Sequence, residues 1–131
     1  MKNQFADYKT SKELKELGLL MDCIRYYINP SDKLYYHGIK NESFGHPLQD
    51  IIDAPIWQQV KEWLWEKNKV WISINRQRVK GKTGYYYIIH IENDTAITDE
   101  EKIKLSPIIA EIEAIKKAIQ YLWEDKFGKN V

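Results

Sequence analysis

Two runs, VWISIN at 70–75 and YYYIIHIE at 85–92, constrain this chain more than any other feature. Both are dense in β-branched and aromatic residues, which fit a pleated, half-buried surface. Lys80-Gly81 lies midway between them, and glycine readily adopts the left-handed backbone that a tight hairpin turn needs. Folding the chain about that pair sets Val70, Ile72 and Ile74 against Ile91, Ile89 and Tyr87 on one face. Trp71, Ser73 and Asn75 then meet His90, Ile88 and Tyr86 on the other. The first face is apolar enough for a core, and the second is mixed, as where an antiparallel sheet meets water. By the same parity Tyr85 and Tyr87 face the core and Tyr86 alone faces out.

A second hairpin is expected upstream. CIRYYI (23–28) and LYYHGI (34–39) are strand-like, and Asn29-Pro30-Ser31-Asp32 between them is turn chemistry. Before it, TSKELKELGLL reads as a short helix, with Thr10 and Glu13 as a capping box and Gly18 as its stop. Residues 40–52 read as an irregular connection. Asp53 then caps a helix with Pro55 in its first turn, running from Ile56 to about Lys67. Ile56, Val60, Trp63 and Leu64 share one of its faces, Trp57 borders that face, and Trp65 points well away.

Thr98 and Glu101 suggest another capping box, and Ser106-Pro107 opens a long helix ending near Phe127-Gly128. Its stripe is Ile108, Ile112, Ile115, Ile119 and Leu122, joined by Ala118 and Trp123. The order α-β-β-α-β-β-α predicts a two-layer α+β domain over residues 1–131. Its expected core is one four-stranded antiparallel sheet with the two longer helices on one face.

Composition narrows the function classes. With 44% hydrophobic and 30% charged residues, 131 residues suit one soluble domain with a real core. The net charge of +1 gives no global field for nucleic acid or an anionic membrane. Cys23, the single cysteine, excludes an internal disulfide and a Cys-rich zinc site and fits a reducing cytosol. No apolar run approaches the roughly 20 residues of a membrane span, so a cytoplasmic, membrane-free setting is expected.

The chemistry-bearing residues do not assemble into a known motif. His37, His46 and His90 lack the spacing of a helical metal pair. Cys23 reads as a small structural thiol, and Ser43 has no nucleophile-elbow setting. The letters GKT at 81–83 precede a strand and lack the upstream glycine of a phosphate loop. No catalytic residue, metal or cofactor is therefore expected.

What remains is a cationic hairpin tip. Arg76, Arg78, Lys80 and Lys82 occupy alternate positions, which on an extended strand would project to one side. Such a finger could hold a phosphate backbone or an acidic protein surface, and charged tips also resist edge pairing. Residues 92–101 carry Glu92, Asp94, Asp99, Glu100 and Glu101 with no cation, so charge is unevenly distributed. Exposed rings at Trp65, Trp71 and Tyr86 add candidate contacts, for a partner or for a second copy of the chain.

Three pieces carry a resemblance: SKELKELGL before the first hairpin, DAPIWQQVKEWLWEKN in the middle, and YYYIIHI before the last helix. Together they resemble a family of small proteins from phages and prophages of Bacteroidota-type bacteria. Its shared pattern is an LKELGF-like start, then AP-x-x-QQ-x-x-x-W, then a strand and a closing helix. The resemblance covers most of residues 10–125, and the chain departs from it in the length and basicity of Arg76 to Lys82. It implies a mobile-element accessory protein that binds a host or phage protein, such as a ribonucleoprotein or other component of CRISPR-type defence. The resemblance supplies no catalytic residues. The expected function is thus non-enzymatic protein binding through Arg76, Arg78, Lys80, Lys82, Trp65, Trp71 and Tyr86. The alternative is nucleic-acid binding by the same cations.

Overall fold

The computed structural model describes residues 4–19, 23, 25–28, 32–36, 51–92, 95–98 and 104–128. Its elements are α1 (Tyr8–Glu16), β1 (Arg25–Ile28), β2 (Leu34–Tyr36), β3 (Ile51–Ala54) and α2 (Trp57–Asn68). They continue with β4 (Val70–Val79), β5 (Lys82–Ile91), β6 (Thr95–Thr98) and α3 (Pro107–Phe127). The fold is α+β, but the strands form two three-stranded antiparallel sheets, ordered β2-β1-β3 and β4-β5-β6. The single four-stranded sheet expected from sequence is replaced because each hairpin gains a third strand.

Those extra strands are β3 and β6. The local sequence places IIDA partly in an irregular connection and partly at a helix cap at Asp53, and TAIT at a cap at Thr98. Four residues are too few to display a convincing alternation, and each segment carries a residue that favours caps, Asp53 in one and Thr98 in the other. In the fold, Ile52 and Ala54 are buried from β3, and Asp53 between them is exposed. Thr98 lies in β6 and donates its hydroxyl to the Tyr87 carbonyl at 3.0 Å. Glu101 lies outside the described residues, as do Asn29, Pro30 and Ser31 of the first turn.

The chain divides into two compact units: residues 1–59 with 122–131, and residues 60–121. In the first unit, Tyr27, Ile52 and Ala54 form a buried cluster joined by Tyr8 and Leu34. The ring of Tyr8 meets that of Tyr27 edge-on at 5.6 Å. Helix α1 begins one turn earlier than expected. Asp7, not Thr10, is its N-cap, accepting from the Thr10 N–H at 2.8 Å. Thr10 and Ser11 are buried, which places them inside the helix rather than at its mouth.

The end of α1 follows the sequence closely. Gly18 has φ +89°, its N–H donates to the Lys15 carbonyl at 3.1 Å, and the Leu19 N–H donates to Leu14 at 3.0 Å. These two bonds form a Schellman motif, which leaves few terminal carbonyls unmet. Helix α2 starts after Ile56, not at Asp53. The Gln59 side chain reaches back to accept from the Ile56 N–H at 3.0 Å, the reciprocal half of a capping box.

In the second unit, Val60, Trp63 and Leu64 of α2 are buried, as are Val70, Ile72, Tyr87 and Ile89 of the sheet. From α3 the buried side chains are Ala110, Ala114, Ile115, Ala118 and Ile119. The expected isoleucine stripe is thus displaced: Ile108 is exposed and Ile112 half-buried. A row of alanines at i, i+4 and i+8 has little bulk, so it lets the helix backbone approach its neighbours. Ser106 opens α3 as expected, its hydroxyl accepting from the Ile108 N–H at 3.2 Å. No helix of the described residues is long and apolar enough to cross a membrane.

Candidate functional site

The β4–β5 hairpin carries most of the residues singled out by sequence, and its register matches the expected one. Val70 pairs with Ile91, Ile72 with Ile89 and Ile74 with Tyr87, while Trp71 pairs with His90 and Asn75 with Tyr86. The turn is the two residues Lys80 and Gly81, both left-handed at φ 51° and 79°. Positive φ at both central positions is a type I′ turn, whose twist matches that of the flanking strands. Glycine tolerates this backbone freely, whereas a lysine does so at a cost.

Register also redistributes the cations. Directly opposed residues share a face, and Lys82 opposes Val79, not Arg78. Arg76 and Arg78 therefore lie on the face of Ile72 and Ile74, whereas Lys82 lies on the face of Trp71, Asn75 and Gln77. Lys80 sits in the turn between them. The expectation that all four project to one side is corrected, because counting alternate positions straight through a two-residue turn reverses the parity. All four are exposed, and no ion pair joins any of them to another described residue.

The backbone adds a feature that side-chain parity missed. Tyr85, which opposes Arg76, commits both its main-chain groups to Lys104. The Tyr85 N–H donates to Lys104 at 2.8 Å, and the Lys104 N–H donates back at 2.7 Å. Arg76 and Tyr85 are thus a non-hydrogen-bonded pair, and the N–H and C=O of Arg76 turn away from β5. Ile74 and Arg78, two residues to either side, share that phase. Strand β4 lies at the edge of its sheet, so these groups line an open edge among the described residues. The sign was present in the two-residue turn, which fixes the phase of every pair above it.

The aromatic candidates are spread out. Trp65 and Trp71 are 54% and 57% exposed, large values for tryptophan, and both agree with expectation. The Lys69 ammonium lies over the Trp65 ring at 5.5 Å. The Trp71 ring lies 5.0 Å from that of His90, and His90 Nε2 is 3.2 Å from the Ser73 hydroxyl. Tyr86, expected to face out, is half-buried, as is Tyr85, while Tyr87 is buried. Tyr86 is thus less open than parity alone predicts.

Among the described residues the other candidates form no reactive cluster. Cys23 is half-buried and in no disulfide, and His37 and His46 lie outside the described residues. Among the described residues no group of three or more His, Cys, Asp or Glu could hold a metal ion. Lys104, which sequence reading passed over, ties β5 to the segment before α3. Its ammonium pairs with Glu113 at 3.1 Å and lies 6.0 Å from the Tyr87 ring centre. No family model, curated protein or solved structure matches the chain.

Proposed function

We propose that the chain is a non-enzymatic binding protein that grips an acidic protein surface with the tip of the β4–β5 hairpin. The observation that carries this reading is Lys80. It holds a left-handed turn position that hairpin folding favours filling with asparagine or glycine. A side chain in that backbone costs on the order of 1 kcal/mol. A cation kept there, beside three further exposed cations, serves something other than the turn itself.

Two features favour protein over nucleic acid. The cations spread onto both faces of the hairpin instead of forming one row along a phosphate backbone. The tyrosines beside them are half-buried or buried, so they offer little open ring for stacking bases. The resemblance to phage and prophage proteins supports a host target, and a component of CRISPR-type or other antiviral defence fits that setting.

Affinity capture from bacterial lysate, with and without nuclease treatment, tests the proposal, using the native chain and an Arg76/Arg78/Lys80/Lys82→Ala variant. The native chain should retain an acidic protein that the variant loses. Equal recovery by both chains removes the hairpin from the function. Retention that disappears with nuclease treatment transfers the role to nucleic acid.

A further inference from the structure

Resting on that reading, we infer that the open edge of β4 takes up an extended acidic segment of the partner as an added antiparallel strand. The ladder phase fixed by the Tyr85–Lys104 bridge turns the N–H and C=O of Ile74, Arg76 and Arg78 away from β5. These groups alternate as donors and acceptors at the spacing an incoming strand requires. No described strand occupies that edge.

Charge selects the occupant. In an added antiparallel strand, the side chains directly opposite Arg76 and Arg78 would stand on the same face as the two guanidinium groups. Opposed side chains approach to about 4.5–5.5 Å between Cβ atoms, close enough for ion pairing. Carboxylates two residues apart therefore satisfy both arginines, which gives an acid-x-acid pattern in the bound segment. The intervening side chain would face Gln77 on the other side of the sheet. A second copy of β4 is a poor occupant, since symmetric pairing about this stretch sets arginine near arginine. Nucleic acid lacks the alternating amide groups.

Backbone N-methylation separates strand addition from simple charge attraction. The probe is a fluorescein-labelled acetyl-(Glu-Thr)5-amide peptide, titrated with the full chain at low salt and read by anisotropy. A residue opposite Arg76 in a hydrogen-bonded pair donates its own N–H to the edge, whereas its neighbours point their N–H groups outward. Methylating the glutamate amides should weaken binding by at least about tenfold, the equivalent of one or two backbone hydrogen bonds. Methylating the threonine amides should leave it within about twofold of the parent. On the protein side, Arg78→Pro removes an outward N–H that an edge strand does not need for its own ladder. It should bind at least several-fold more weakly than Arg78→Ala.

Failure to bind the unmethylated peptide overturns strand addition. So do equal affinities of the two methylated peptides, or equal affinities of the two Arg78 variants. The broader reading is judged separately: capture lost with the four cations but insensitive to amide methylation leaves an acidic partner held by charge alone.

Discussion

At the residue scale, buried polar atoms set the sharpest tests. Asn75 Nδ2 and Gln77 Oε1 are shielded from solvent and have no hydrogen-bond partner among the described residues. An unmet buried polar group costs about 1–3 kcal/mol. Asn75→Val, which also suits a strand, should raise the denaturation midpoint by the equivalent of about 1 kcal/mol. A midpoint that falls would contradict this account of Asn75. Tyr27 is the opposite case. Its hydroxyl donates to the Ala6 carbonyl at 2.9 Å, so Tyr27→Phe should cost about 1 kcal/mol. Burial, aided by the charges of Asp7 and Asp32, raises the Tyr27 pKa above its ordinary 10.0. A raised folded pKa means that the folded state holds the proton more tightly. The stability it contributes is present below pH 10 and is lost as pH rises through the folded value. Equilibrium unfolding from pH 8 to 12 should therefore show the gap between native chain and Tyr27→Phe closing only on the alkaline side.

Two left-handed turns give matched tests at the scale of the element. A Cβ built at Gly18 or Gly81 meets nothing within 4 Å, so Gly→Ala is opposed by backbone strain alone. Each substitution should cost about 1 kcal/mol, one at the α1 stop and one at the hairpin turn, by chemical denaturation. Lys80→Asn should do the reverse, gaining several tenths of a kcal/mol while weakening partner binding. If Lys80→Asn leaves stability unchanged, the turn exacts no cost and Lys80 no longer argues for a function. The elements also divide by how legible they were. The β4–β5 register could be read residue by residue, because ten-residue strands with a marked turn leave one alignment that keeps the apolar set together. Gly18 and Ser106 likewise announced their roles through local chemistry. β3 and β6 were hidden because four-residue strands draw their identity from pairing with a neighbour, which no local pattern displays. Asp7 was overlooked since Thr10 offered a competing cap three residues on, and tertiary burial of Thr10 decided between them.

The charge pattern belongs to the whole molecule. Sequence located the four cations of the candidate site, but their sharing between two faces depended on the turn. The open edge of β4 depended on which strand lay outermost. Replacing Arg76, Arg78, Lys80 and Lys82 with alanine takes the net charge from +1 to −3 (1 − 4). Because all four are exposed and unpaired with any described residue, that variant should keep its unfolding free energy within about 0.5 kcal/mol while losing its partner. A larger loss would mean that the cations serve the fold. The division of the chain carries a different consequence, for synthesis. Residues 60–121 form one unit from a continuous stretch, whereas the first unit needs residues from both sides of it. Within that first unit, the Trp123 indole donates to Glu16 at 2.8 Å and the Lys126 ammonium to the Glu16 carbonyl at 3.2 Å. In the order of synthesis, residues 1–59 come before the unit that bears the basic hairpin, yet their own unit stays incomplete until residues 122–131 follow. A premature stop at Leu122 would leave the hairpin built and the first-made strands unfinished.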